Sequence, residues 1–275
     1  MHGQYWGLAE NPFQNTLDER WFHENPVHEE ALARLYFVIE QRRPCGLLAG
    51  PRGSGKSLLA RILAREVRRS RRKVALVDVQ GRGGHELLWE TAAALGLAPS
   101  TSEAAFSLWR RLQDHLSGNC FARRHTVIIL DHLDAATNEC QRWVDRLASA
   151  GPSSTQWTTV LATVRDTAWY AVSELLSTDL RIELAPLDAA QCRAYVGSLL
   201  TKAGGRPELF TSSAYERLWE YSGGLPRQIN SLCDLSLLAA MAEGEACVTE
   251  AAVLAAACDL QLRQPGEPER HRMPA

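Results

Sequence analysis

Cysteine pairs of the kind that hold zinc or form a disulfide frame are missing. The 275 residues include Cys45, Cys120, Cys140, Cys192, Cys233, Cys247 and Cys258, and no two of them form a C-x-x-C motif. This scatter predicts reduced, mostly buried thiols in a cytoplasmic setting. No apolar run approaches the roughly 20 residues a membrane helix needs, so direct insertion into a membrane is not expected. The opening stretch "MHGQYWGLAENPF" lacks a cationic start followed by an apolar run, which argues against a secretory signal. An excess of one charge sign is absent too. Thirty Lys and Arg stand against 32 Asp and Glu, giving a formal net charge of −2. That excludes a wholesale nucleic-acid coat and leaves room only for local basic patches.

What is present suits a packed globule. Hydrophobic residues make up 45% and charged residues 23% of the chain, enough for one large domain or a domain with a small companion. Residues 1–25, rich in Pro, Asn and aromatics, read as an ordered arm. Helical periodicity follows over "VHEEALARLYFVIEQRR". "CGLLAG", "KVALVDV", "TVIIL" and "TTVLAT" are short apolar strands, and "LRIEL" is a weaker fifth because it is short and carries two charges. Between them lie helical segments, among them "KSLLARILAREVRR", with Leu58, Leu59, Ile62 and Leu63 on one side. Two more are expected near 85–96 and 102–117, separated by the breaker "GLAPST". Continuous apolar strands alternating with helices predict a parallel sheet covered on both faces over 26–186. From Leu187 the pattern is helical only, at about 188–203, 211–222, 226–242 and 249–260, which predicts a small helical domain over 187–262. Residues 263–275 are polar and Pro-rich and are expected to be disordered.

The most informative stretch is "GPRGSGKS", which satisfies G-x-x-x-x-G-K-[ST] through Gly50, Pro51, Arg52, Gly53, Ser54, Gly55, Lys56 and Ser57, with Leu58 next. A strand precedes it and a helix follows, which is the context a phosphate loop needs. Its glycines let successive backbone N–H groups turn toward phosphate oxygens, and the helix N-terminus adds partial positive charge. Lys56, expected to stand exposed on the loop, would reach the β- and γ-phosphates of ATP, and the Ser57 hydroxyl would ligate Mg²⁺. Asp131 ends the apolar run "TVIIL", where a Mg²⁺-directed carboxylate belongs. The run "RRSRRK", Arg68 to Lys73, reads first as a solvated helix end whose cations suit the helix dipole. Nucleic-acid contact through it is possible but not favoured, since no aromatic residue is interleaved for stacking.

Three stretches together carry a resemblance. "YWGLAENPFQNTLDERWFHENPVHEEAL", "LLAGPRGSGKS" and "SGGLPRQINSLCDLSLLAAMAEG" resemble the AAA+ ATPases of the ExeA/GspA type, associated with general secretion, and their transposition-ATPase relatives. The resemblance covers roughly residues 3–260. It implies an α/β P-loop AAA+ core with a five-stranded parallel sheet, helices on both faces, and a C-terminal all-helical lid, with ATP bound between them. It further implies that residues 1–25 lie near the nucleotide and that residues around Pro26 and His28 lie near the adenine, with His28 more a packing or capping histidine than a catalyst. Arg227 falls on the lid arginine that contacts the γ-phosphate, and Thr163 falls near the polar residue that orients water. A homo-oligomer or a protein partner is also implied.

The chain departs from that pattern at two places. The family has Asp-Glu on the third strand, whereas here Asp131 is followed by His132. Asp134, in an Asp-x-x-Asp spacing, is one candidate for activating water; His132 is another; a third possibility is that no effective base is present. An arginine that reaches into a neighbouring subunit is expected just before the fifth strand, where Ser177 stands, with Arg181, Arg146 and Arg165 as alternatives. Both departures predict slow hydrolysis or hydrolysis stimulated by a partner. Two rival readings stay open: an ATP-binding regulatory subunit without hydrolysis, and a DNA-binding transposition-type ATPase.

Overall fold

The computed structural model of the chain describes residues 2–149, 157–176 and 180–262. Ser177 and the segment 263–275 lie outside the described residues. The chain divides into two compact units, one of Pro26–Ala185 and one joining Met1–Asn25 to Pro186–Ala275.

The chain opens with a short helical turn, α1 (His2–Tyr5). The α/β unit then runs α2 (Pro26–Glu40), β1 (Cys45–Ala49), α3 (Lys56–Arg69), β2 (Lys73–Asp78), α4 (Gly84–Ala94), α5 (Ala105–Phe121), β3 (Thr126–Asp131), α6 (Asn138–Ala148), β4 (Thr158–Val164), α7 (Trp169–Leu176) and β5 (Arg181–Glu183). Its five strands form one sheet in the order β2-β3-β4-β1-β5, and every pairing is parallel. Parallel pairing needs crossovers, and the helices that supply them cover both faces. Every residue of β1, β3 and β4 is therefore buried. On one face Leu87, Leu108, Leu112, Val144 and Val172 pack against the sheet. Leu35, Val38 and Ile39 of α2, with Leu59, Ile62, Leu63 and Val67 of α3, form further buried helix faces. Leu58 is only half-buried, so the apolar stripe of α3 runs toward Val67 instead of through all four residues expected.

β5 is the short edge strand that its charges suggested. Ile182 is buried between Arg181 and Glu183, which point to the same side and pair at 3.5 Å. Arg146 stacks on the rings of Trp109 and Trp143 at 5.3 and 4.7 Å, so its charge is committed to packing within the unit.

The helical unit contains α8 (Ala189–Lys202), α9 (Ser212–Ser222), α10 (Pro226–Ala242) and α11 (Glu250–Asp259). Asp188 and Gln191 form a reciprocal capping box at the start of α8, and the Thr211 hydroxyl caps α9. The N-terminal arm is part of this unit's core. Trp6, Leu8 and Phe13 are buried with Leu199, Leu232 and Leu237, the Trp6 indole donates to the Leu237 carbonyl at 3.0 Å, and Phe13 meets Phe210 edge to face at 6.4 Å. Asn11 Nδ2 donates to Asp234 Oδ1 at 2.7 Å. Phe13→Ala is expected to destabilise the helical unit by about 3 kcal/mol, the usual scale for emptying a buried aromatic site. Denaturant unfolding followed by far-ultraviolet dichroism checks this, and an unchanged midpoint would show that the arm is dispensable.

Candidate functional site

The motif at 50–57 forms the turn between β1 and α3. Gly53 and Gly55 take φ of 89° and 100°, left-handed values that glycine adopts without the cost a side chain would add. Gly50 is constrained by space: a Cβ there would lie 2.7 Å from the Leu184 carbonyl oxygen. His28 is buried, and its Nε2 lies 3.5 Å from where a Gly55 side chain would begin. It therefore backs the loop from α2. Arg52 is exposed, while Pro51 and Ser57 are half-buried.

Lys56 departs from expectation. Instead of standing exposed, it is buried, with 8% of its surface accessible, because its Nζ folds back to donate to the Gly50 and Pro51 carbonyls, each at 2.8 Å. Burial pulls its pKa below the ordinary lysine value, against the opposing charges of Asp134, Asp131 and Asp166. The Ser54 hydroxyl is buried and makes no hydrogen bond. A buried orphan hydroxyl in a loop built of turned backbone N–H groups is what an anion's oxygens would satisfy, so this site fits a phosphate group.

Across from the loop, the ends of β2, β3 and β4 bring further groups together. Asp131 is buried. Thr163, near the end of β4, donates its hydroxyl proton to Asp131 Oδ1 and accepts the His132 N–H at 3.0 Å. One hydroxyl thus orients the carboxylate and the backbone that follows it. His132 takes a left-handed conformation, φ 60° and ψ 42°. Its Nδ1 lies 3.1 Å from Asp78 Oδ1, and its Nε2 faces the Ser57 hydroxyl at 3.5 Å. A carboxylate only accepts, so Asp78 places the ring proton on Nδ1 and leaves Nε2 toward Ser57. Burial would raise the Asp78 carboxyl, but the Gln80 N–H and the His132 ring hold it below the usual carboxylate range.

Asp134 is placed differently from a free water-activating acid. Its side chain is 5% exposed, Oδ1 accepts the Arg165 N–H at 3.2 Å, and Oδ2 accepts from the Arg165 guanidinium. Both oxygens are engaged, although the carboxylate remains close enough to act on the Lys56 charge. The structure therefore brings Gly50 to Leu58, Asp131, His132, Asp134 and Thr163 into one region of the α/β unit.

Arg227 belongs to the helical unit. Gly223 and Gly224 both have positive φ, and a Cβ on Gly224 would lie 2.0 Å from the Leu187 carbonyl oxygen, so only glycine permits this approach. Pro226 then opens α10, where its missing N–H costs nothing. Arg227 follows in the first turn, exposed, and among the described residues its guanidinium forms no ion pair.

Sequence reasoning placed Ser54 in the loop motif without foreseeing its buried, unpartnered hydroxyl, and it did not single out Asp78 or the pairing of Arg165 with Asp134. A signal for Asp78 exists: "KVALVD" and "TVIILD" both end an apolar strand in aspartate, and the parallel register sets Asp78 beside Asp131.

A turned glycine loop between a strand and a helix, with a strand-end aspartate across from it, has the form of a P-loop phosphate site. Residues 39–167 match the AAA domain family. More particularly, the chain is 27% identical over 252 residues to General secretion pathway protein A of Aeromonas hydrophila, which covers 89% of this chain and 46% of that protein. The chain thus spans about half the length of this curated relative. Among solved structures it is similar to the Aeropyrum pernix ORC2 protein in ADPNP–ADP complexes, with a TM-score of 0.68 and 15% identity over 91% of this chain and 72% of that one. It is also similar to the Aeropyrum pernix ORC1 protein in complex with DNA, at 0.67 and 18% over 90% and 68%. Cdc6p from Pyrobaculum aerophilum gives 0.68 and 14% over 88% and 68%. At these identities the structures establish the fold. Among the described residues no helix is long and apolar enough to cross a membrane.

Thr163→Val keeps the shape of the site but leaves the buried Asp131 one donor short and the His132 N–H without its acceptor. It is expected to destabilise the α/β unit by about 2 kcal/mol, and Thr163→Ser should restore most of the loss. Urea unfolding of the three proteins decides this; equal stability of Thr163→Val and wild type would mean that the hydroxyl does not hold Asp131 and His132 in place.

Proposed function

We propose that the protein binds Mg²⁺-ATP and acts as a nucleotide-dependent switch with slow or partner-stimulated hydrolysis. The observation that carries this reading is the phosphate loop, in which Lys56 rests on its own loop's carbonyls and the Ser54 hydroxyl is buried without a partner. An incoming triphosphate would take over Lys56 and satisfy Ser54. Ser57 and Asp131 would hold Mg²⁺. Among the described residues no three His, Cys, Asp or Glu side chains gather to hold a metal unaided, so the cation would arrive with the phosphates. When bound, the metal neutralises phosphate charge and fixes its geometry.

Slow turnover follows from the groups around the reacting phosphate. His132 stands where a carboxylate would activate water, and the better base, Asp134, has both oxygens on Arg165. Asp134 becomes a base only as Arg165 shifts toward phosphate or a partner, which supports stimulation rather than high basal activity. From the family resemblance, Arg227 is the cation that reads the γ-phosphate. Its exposed and ion-pair-free guanidinium supports that role. Seven free thiols support a cytoplasmic setting, and the likeness to AAA proteins supports work as a homo-oligomer or with a protein partner. A role beside a secretion system rests on the relative from Aeromonas hydrophila.

Calorimetric titration tests the binding half. Lys56→Ala should weaken ATP by about 100-fold or more, since it removes a charged contact in a partly dry site. Arg227→Ala should keep ADP affinity and lose most of the preference for ATP, about tenfold. ATP affinity that ignores Lys56 would sink the assignment.

Phosphate release tests the chemistry. Asp134→Asn should lower turnover by about 100-fold, the scale of general-base loss, without weakening ATP binding. His132→Glu should raise it. Rates that ignore both substitutions would move the base elsewhere.

A further inference from the structure

At the opposite end of the sheet from the phosphate loop lies a second cationic site. We propose that it binds a compact, multiply phosphorylated ligand. A concave cavity of about 250 Å³ opens where the turns entering β1, β2 and β3 converge beside Trp157. Arg42 comes from the turn after α2, Arg71 and Arg72 from the turn after α3, Arg123 and Arg124 from the turn after α5. Trp157 forms another part of the wall, and the Arg42 guanidinium lies over its ring at 3.7 Å.

The charge is poorly balanced from within. Arg72 pairs with Glu40 at 2.8 Å. Among the described residues, Arg42, Arg71, Arg123 and Arg124 form no ion pair, although all four are exposed and share one cavity. His125, buried beneath them, donates from Nε2 to Thr159 Oγ1 at 3.0 Å, since the Thr159 hydroxyl proton goes to the Arg43 carbonyl at 2.8 Å. Burial, then the charges of Arg72 and Arg42, push its pKa down to about 4, so the histidine adds no further cation and reports the sign of the field above it.

Backbone conformation supplies an independent observation. Arg42, Arg71 and Arg123 have φ of 49°, 61° and 53°. Each stands just past the C-terminal turn of a helix, donating its N–H to the Ile39, Arg68 and Cys120 carbonyls respectively. That slot favours glycine or asparagine, and an arginine there holds a strained left-handed backbone. Helix-end carbonyls attract cations, but this attraction is equally available to a residue in the last helical turn and does not require the strained position. Gln261 takes the same slot past α11 with φ 54°, so the conformation by itself does not call for a ligand; what sets these three apart is that all of them line one concavity.

The shape selects the ligand. Guanidinium groups bind phosphate oxygens in a bidentate way. Four unbalanced cations around so small a volume call for dense negative charge, which clustered phosphates supply and a peptide's spaced carboxylates do not. The Arg42 guanidinium already covers one face of the Trp157 ring, and a concavity suits a compact group better than a duplex backbone. The same chemistry is offered by a free phosphate ester and by a phospholipid headgroup.

Inorganic triphosphate is the probe, titrated into the full chain at physiological salt without divalent metal. Saturable binding with a dissociation constant on the order of 10 µM is expected. It should persist in Lys56→Ala, which disables the phosphate loop, and weaken by about 100-fold or more when Arg71→Gly/Arg123→Gly is added to Lys56→Ala. Glycine relieves the left-handed backbone, so this double variant should melt no lower than wild type, and its loss of binding cannot be ascribed to unfolding. Sedimentation with phosphatidylcholine vesicles carrying one-fifth phosphatidic acid, lost in the double variant, would identify a headgroup as the source; triphosphate binding without sedimentation would identify a free phosphate ester. The proposal is overturned by binding that disappears with Lys56→Ala alone, by binding that survives Arg71→Gly/Arg123→Gly in the Lys56→Ala background, or by duplex DNA displacing triphosphate and binding more tightly than it does.

Discussion

Parallel strand register is the constraint on which the phosphate site depends. In a parallel sheet all strands end on the same side, so side chains at matching positions of neighbouring strands arrive together. Here Asp78 pairs in register with Asp131, and Leu48 with Thr163. A slip of one residue in β3 would turn Asp131 to the other face of the sheet, away from the Thr163 hydroxyl. The burial of every residue in β1, β3 and β4 prevents such a slip, because it would leave apolar side chains unmatched on both faces. The strand interiors thus fix the chemistry at their ends.

The same geometry separates charge. Asp78, Asp131, Asp134 and Asp166 gather at or just past the C-terminal ends of the strands, and Arg42, Arg71, Arg123 and Arg124 collect at the turns that lead into them. A net charge of −2 hides this division. At the acidic end Lys56 tempers the charge from within the loop. At the basic end only Glu40 answers, and it answers Arg72.

The fold was readable to the extent that local pattern determined it. Each of the five strands was marked by its apolar run, and "LRIEL" was marked as the weakest by its charges. Helix starts were legible where the chain carries its own punctuation, as at Pro226. The phosphate loop was legible because its glycine spacing has few other uses. The burial of Lys56 was not, since a lysine in a motif gives no sign of which carbonyls it will rest on. Nor was the capture of Asp134 by Arg165, which joins residues that lie on different strand ends. The run Arg68 to Lys73 read as a solvated helix end, and Arg72 does pair with Glu40. Arg71, however, shares a cavity with Arg42 and Arg123, residues far away in sequence.

The division of the chain into units has a consequence for synthesis. Trp6, Leu8 and Phe13 precede the α/β unit along the chain, but the core that receives them is built from Leu199, Leu232, Leu237 and their neighbours, which follow it. The intervening α/β unit must emerge before that core exists. At the usual pace of translation those residues take roughly 10–30 s to appear. During that interval the nascent arm carries two large aromatic side chains with no pocket to enter. The growing chain therefore carries an adhesive segment, and while ribosome-bound it should be a client of whatever cellular factor shields such segments until α8 to α11 arrive.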